Sequence, residues 1–263
     1  MDELSSFIAQ QIALGDDFWT MSEPPATAEE PTVVTDQGDR PELSTSAQVQ
    51  ADSIAEPTTL VEDDTPIPMA QAGPDWEGLT LDGFKQTICE CQSCPLGETR
   101  TKFVFGQGDP NADLMFIGEA PGKDEDQQGL AFVGRAGQLL TKMIDAMGLS
   151  RDTVFIANVL KCRPPNNRDP EAGEVEQCEP YLKHQIGLIQ PKIICALGRI
   201  AAQTLLKTNE SLGKLRQERH TYEGIPLWAT YHPAYLLRDP RQKRPAWEDL
   251  KQIRFALDGT TLQ

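Results

Sequence analysis

Leu114-Met115-Phe116-Ile117-Gly118-Glu119-Ala120-Pro121-Gly122 joins an unbroken apolar run to a turn of glycine, proline and one carboxylate. Four consecutive apolar residues bounded by turn formers read as a strand buried on both faces. Three more runs of this kind follow: Val154-Phe155-Ile156-Ala157, Ile193-Ile194-Cys195-Ala196 and Leu227-Trp228-Ala229-Thr230. Between them, residues 137–147, 171–190 and 199–206 read as helices. Doubly buried strands alternating with helices mean a parallel sheet covered on both sides. The expected fold is therefore α/β, a three-layer α/β/α sandwich with a central, mostly parallel four-stranded sheet. In such sheets ligands sit beyond the carboxyl ends of the strands. Here those ends lead into Gly118–Gly122, Asn158, Gly198 and Tyr231-His232-Pro233, so the unusual residues collect at one edge.

The 263 residues carry 24 Lys+Arg against 40 Asp+Glu, for a formal charge of −16. That balance argues against nucleic acid as a partner until it is located. Residues 1–84 hold 18 acidic residues and only Arg40 as a base, whereas residues 85–257 come to +2. Local basic patches in the second part can therefore matter. From Ser22 to Asp75 no aromatic occurs. Such a stretch cannot bury enough apolar surface to offset its chain entropy, so residues 1–75 are expected to be an acidic, largely disordered extension. Within it Leu4, Phe7, Ile8, Ile12, Phe18 and Trp19 predict a short amphipathic helix at 3–19, a candidate dock for a protein partner. The folded domain is expected at 76–263. No apolar run approaches the roughly 18 residues of a membrane helix, and Met1-Asp2-Glu3 lacks the start of a secretory signal. A soluble, cytoplasmic, monomeric protein without membrane contact is the expectation.

An intracellular chain does not rely on disulfides, so the six cysteines are tested first as metal ligands. Cys195 lies inside an apolar strand and reads as core. Cys91-Gln92-Ser93-Cys94-Pro95 is a C-x2-C clip, Cys162 sits in Lys161-Cys162-Arg163-Pro164-Pro165, and Cys178 follows after 15 residues. Cys91, Cys94, Cys162 and Cys178 thus form a closed set of four thiolates tying three segments. Zinc and an iron–sulfur cluster both accept such a set. Cys89 is an alternative to Cys91, but lacks the two-residue gap to Cys94.

The chemistry-bearing positions follow the strands. The glycines of Gly118-Glu119-Ala120-Pro121-Gly122 let backbone approach a ligand. Gly129-Leu130-Ala131-Phe132-Val133-Gly134-Arg135-Ala136-Gly137 is a glycine-rich turn opening a helix, which suits an anion. Phe132 within it is either core or a platform for a base. Asn158 can hydrogen-bond a base edge or cap a turn. His232 lies at a strand end with an apolar wedge and Arg238 behind it.

From about Cys91 to Leu257 the chain resembles the iron–sulfur uracil-DNA glycosylases, the family-4 type of bacteria and archaea. The resemblance rests on C-x2-C-P-L, on Gly118–Gly122 and on Phe132-Val133-Gly134-Arg135-Ala136-Gly137-Gln138-Leu139-Leu140. Asn158 with Lys161-Cys162-Arg163-Pro164-Pro165, Cys178, and His232-Pro233 with Leu236-Leu237-Arg238 complete it, in family order. It implies the uracil-DNA glycosylase fold and a structural four-iron, four-sulfur cluster on Cys91, Cys94, Cys162 and Cys178. It implies a monofunctional enzyme of base excision repair that flips uracil out of single- or double-stranded DNA and leaves an abasic site. Phe132 would stack on the ring. Asn158 would pair with N3–H and O4, a polarity that cytosine reverses, giving discrimination of about 10⁴. His232 would hydrogen-bond O2 as charge builds on the leaving base, worth roughly 3–4 kcal/mol.

Relatives with Gly-Gln-Asp-Pro-Tyr-His in this first motif orient water with the aspartate. This chain has Ala120 there, and Gly122 where a tyrosine would exclude thymine's methyl. Glu119 is therefore assigned a catalytic or uracil-positioning role and Glu125 a pocket-wall role, the bland alternative being that Asp124-Glu125-Asp126 is a solvated run. Gly118 and Ala120 complete the substrate set. Arg135, Leu236, Leu237 and Arg238 are the expected DNA contacts, Leu236 and Leu237 with Tyr235 wedging into the duplex. Arg241, Lys243, Arg244, Lys161, Arg163 and Arg168 are candidates for phosphates. The rivals are a preference for another deaminated base such as hypoxanthine, and a non-catalytic, cluster-bearing DNA-binding module on the same fold.

Overall fold

The structure is a computed structural model that describes residues 76–259. The acidic extension and its expected helix at 3–19 lie outside those residues. The chain opens with α1 (Leu81–Ile88), whose N-terminus is capped by the Thr80 hydroxyl accepting from Gly83 N at 3.2 Å, and the single turn α2 (Leu96–Thr99). Then come β1 (Gln107–Gly108), β2 (Leu114–Gly118), α3 (Lys123–Gln128), α4 (Arg135–Ala146), β3 (Phe155–Asn158) and α5 (Ala172–Ile189). They are followed by β4 (Ile193–Leu197), α6 (Arg199–Leu206), α7 (Leu212–Leu215), β5 (His220–Tyr222), β6 (Ile225–Thr230), α8 (Pro233–Arg238) and α9 (Lys243–Leu257).

The strands lie in the order β1-β3-β2-β4-β6-β5. The inner four, β3, β2, β4 and β6, are mutually parallel and are the four apolar runs of the sequence. The expectation of a mostly parallel four-stranded sheet is nevertheless corrected: the sheet is mixed and has six strands among the described residues, with β1 and β5 added antiparallel at its edges. These edges span two and three residues and are only partly buried. Neither can display the apolar run by which a strand is recognised. The β5–β6 connection is the two-residue turn Glu223-Gly224 with both φ positive, the geometry that tight hairpins favour.

Alternation along the strands divides the core into two layers. Met115 and Ile117 face one side with Ala157, Ile194 and Leu227, beneath α1, α5 and α6. Leu114 and Phe116 face the other with Ile156, Cys195 and Trp228, beneath α4, α8 and α9. α4 presents Leu139, Leu140, Met143 and Ile144 inward at helical spacing. α5 begins with a reciprocal capping box between Glu171 and Glu174. Helices on both faces leave the strand ends uncovered, and the carboxyl ends of β2, β3, β4 and β6 open on the same side.

Candidate active site

At those strand ends lies a cavity of about 670 Å³, lined by Glu119, Ala120, Glu125, Phe132, Asn158 and His232 among others. Asn158 ends β3 in register with Gly118 at the end of β2. A Cβ on Gly118 would lie 2.4 Å from Asn158 Oδ1 and 2.5 Å from Phe132 Cζ, so only glycine lets amide and ring meet over the strand tip. Asn158 is 2% exposed and its Oδ1 has no hydrogen-bond partner, while its backbone carbonyl accepts from Lys161 Nζ at 2.8 Å. A buried acceptor left open costs about 1–3 kcal/mol. An N–H donor entering the cavity would satisfy it.

Phe132 sits in the left-handed region with φ of 52°. Its loop is pinned by Glu125, whose Oε1 accepts from Val133 N at 2.8 Å and Gly134 N at 2.9 Å. Glu125 and Asp126 are buried, the latter accepting from Thr101 N at 2.8 Å, so of the acidic run only Asp124 is solvated. A Cβ on Gly122 would meet Glu125 Oε2 at 2.7 Å: the carboxylate occupies the space above this glycine.

His232 lies two residues past the end of β6 and caps α8, its Nδ1 accepting from Ala234 N at 3.1 Å. Gly198, with φ of 92°, makes room for it, since a Cβ there would lie 2.7 Å from His232 Cβ. The imidazole and the Phe132 ring are 5.7 Å apart between centroids. Burial, aided by the Arg238 charge, pushes the imidazole down to about 4, so it is neutral at pH 7. With Nδ1 accepting, its proton resides on Nε2. Burial pushes the Glu119 carboxyl up to about 7; the Asp169 carboxylate adds to this and Arg199 opposes it.

The four expected thiol ligands come from the α1–α2 connection, the segment after β3, and α5. Shared partners draw these segments together: Arg100 donates to the Cys91 carbonyl and to Cys162 Sγ, and Lys161 N, the amide next to Cys162, donates to Cys178 Sγ. Donors point at three of the sulfurs: Ser93 N to Cys91 at 3.4 Å, Arg100 to Cys162 at 3.6 Å, and Lys161 N to Cys178 at 3.3 Å. Burial pushes Cys162 up to about 11 and Cys178 up to about 12. Among the described residues no three His, Cys, Asp or Glu side chains converge tightly enough to hold a single ion. Cys89 turns its thiol to the Gln86 carbonyl instead, and Cys195 is fully buried in the core.

The expected DNA face is only partly assembled as read. Leu237 is 39% exposed, and Arg238 reaches the cavity wall; Arg135 is exposed at the head of α4. Leu236 is corrected: it is 0% exposed, because the α8 spacing turns it into the core while its neighbour faces out. Lys161 is corrected likewise, being wholly buried against the Asn158 carbonyl. Arg168 is committed to Glu174 through two hydrogen bonds, and Arg241 to Asp239. Two charged wall residues escaped the sequence reading, Asp169 and Arg199, which form an ion pair at 3.3 Å beside Glu119. Arg199 was within reach of that reading, since it follows Gly198 at a strand end. Asp169 gave no signal.

Residues 105–251 match the family model of the uracil DNA glycosylase superfamily. Over 184 residues the chain is 46% identical to the type-4 uracil-DNA glycosylase of Sulfurisphaera tokodaii, covering 66% of this chain and 84% of that protein. The type-4 enzyme of Saccharolobus solfataricus is 45% identical, over 68% and 87%. That of Archaeoglobus fulgidus is 42% identical, over 66% and 92%.

Proposed function

The chain belongs to the uracil-DNA glycosylase superfamily and, within it, to the type-4 family, and from that membership we propose that it excises uracil from DNA by hydrolysing the N-glycosidic bond. The observation that carries this reading is the unpartnered Asn158 Oδ1, buried beside the Phe132 ring in a cavity open at the strand ends. The flipped uracil stacks on Phe132. Its N3–H donates to Asn158 Oδ1 and its O4 accepts from Nδ2. Cytosine, with an acceptor at N3 and a donor at N4, leaves both groups of the buried amide opposed, which is the strong form of discrimination. Glu125 fills the space over Gly122 and closes the wall of the pocket.

As the bond from C1′ to N1 breaks, negative charge develops on the uracil. His232 meets it as a neutral imidazole, donating from Nε2 to O2; no proton needs to be transferred. A donor preorganised in this way contributes about 10²–10³ in rate. Water attacks C1′ from the opposite side and gives its proton to Glu119, which is ionised above pH 7. Leu237 fills the place vacated by the base, and Arg238 and Arg135 neutralise phosphates.

Cys91, Cys94, Cys162 and Cys178 suit a four-iron, four-sulfur cluster. The support is the chemistry of the donor set, four cysteines and no other side chain, as such clusters use. The N–H donors aimed at sulfur, with the Arg100 and Lys161 charges, would stabilise thiolates that burial alone disfavours. Bound there, the cluster would cross-link three segments next to Asn158 and take no part in bond cleavage.

The test is an oligonucleotide with a single uracil, incubated with protein purified without oxygen and then treated with alkali. Cleavage at the uracil position is expected, and cleavage of the same strand carrying cytosine is not. A protein that binds the DNA but releases no uracil would overturn the reading.

A further inference from the structure

Three residues from three elements meet directly behind His232, and none of them lines the cavity. Thr230, the last residue of β6, is wholly buried, and its hydroxyl donates to Asp249 Oδ2 of α9 at 2.6 Å. Arg216, at the end of α7, donates from Nε to the same oxygen at 2.7 Å and from one terminal nitrogen to Asp249 Oδ1 at 2.9 Å. That nitrogen also reaches the Pro245 carbonyl at 2.8 Å. The guanidinium then lies over the ring of Tyr231, 4.1 Å from its centroid. The other neighbours complete the enclosure: Gly198 N donates to the Thr230 carbonyl at 2.8 Å, and Tyr231 stacks on Tyr235 of α8 at 5.4 Å.

We propose that Arg216 and Asp249 are positioning residues that fix the backbone of Thr230 and Tyr231 and so aim His232 Nε2 at the departing base. The inference rests on the reading of His232 given above. Both charged side chains are nearly enclosed, 13% and 7% exposed. A buried ion pair is a poor device for stability alone, since apolar residues of similar volume often serve as well or better. What it adds is direction. Two parallel hydrogen bonds lock the guanidinium plane against Asp249, the Thr230 hydroxyl on Asp249 Oδ2 holds the residue two before the histidine, and the guanidinium face holds the residue immediately before it. The ring itself is then fixed by Ala234 N. Donors to a developing anion must lie within tenths of an ångström of their place, and a displacement of about 1 Å can cost 10²-fold in rate.

The test is a double-mutant cycle on the full chain, with single-turnover uracil release and the half-saturating DNA concentration as readouts. Asp249→Asn keeps the shape but loses the charge; Thr230→Val removes one hydroxyl and leaves the ion pair intact, so it serves if the first variant folds poorly. Each is expected to slow release about 10- to 10²-fold, with half-saturation changed less than about twofold. In a His232→Ala background the same substitutions are expected to slow release no further, because the group they aim is gone. Equal losses in both backgrounds would mean a general structural effect and overturn the proposal, as would no loss with native His232. If His232→Ala itself releases uracil at the wild-type rate, the reading of His232 fails first and the proposal falls with it.

Discussion

Asn158, Glu119 and His232 share a cavity, but their environments set three different tasks: an open acceptor, a carboxyl poised near neutrality, and an imidazole kept neutral. Replacing His232 by Ala should lower kcat for uracil release about 10²–10³-fold, read under single-turnover conditions. Because the imidazole titrates near 4, the wild-type rate should show no histidine limb between pH 5 and 8. Glu119 behaves oppositely. Raised to about 7, it is protonated below that pH, so the rate should climb through pH 7, and Glu119→Gln should be slow with no such limb. The folding linkage has its own sign. A carboxyl raised in the folded state contributes stability that is full below its unfolded value near 4.5 and is lost as pH rises through about 7. Thermal melts of the wild type and Glu119→Gln should therefore run parallel at low pH and diverge as pH rises through about 7, the wild type losing stability that the variant keeps. These residue types were legible as strand-end polar groups. Their titration was not, since burial is a property of the neighbours.

At the scale of elements, α3 and the loop after it act as one unit through Glu125. Glu125→Ala would strand Val133 N and Gly134 N, at about 1–3 kcal/mol for each unsatisfied group. It would also empty the space over Gly122. The expected result is a lower Tm together with a reduced preference for uracil over thymine, measured on matched oligonucleotides. The junction of β4 and α6 makes a second case. Gly198→Ala places a side chain at φ of 92° and 2.7 Å from His232 Cβ, so kcat should fall with DNA binding largely kept. The strands β2, β3, β4 and β6 stood out in the sequence because each is buried on both faces. The edge strands β1 and β5 did not, being too short for any pattern to develop. Leu236 and Leu237 looked equivalent as adjacent leucines, and only the rotation of α8 sends one into the core and the other to the surface.

At the scale of the whole molecule, two features carry predictions: the distribution of charge and the proposed cluster. The first 84 residues carry −17, while the remainder is close to neutral. Deleting residues 1–75 should raise non-specific DNA affinity at low salt, and the two forms should converge as salt screens the difference. Fluorescence anisotropy with an undamaged duplex checks this. With the proposed cluster bound, Cys162→Ser should remove its visible absorption and lower the Tm, and lose uracil release along with them, because Lys161 and Cys162 follow within four residues of Asn158, the last residue of β3. From the sequence alone came the layered α/β plan, the edge at which the cavity opens, the four cysteines as a set and several residues of the cavity wall. These are written in short-range patterns: apolar runs, strand-end glycines and cysteine spacing. The tertiary structure alone decided that Asn158 Oδ1 is left open, that Glu119 is raised and His232 neutral, and that Arg216 and Asp249 stand behind the histidine. Each of those depends on atoms far apart in the chain meeting where water is excluded, and no local pattern encodes that meeting.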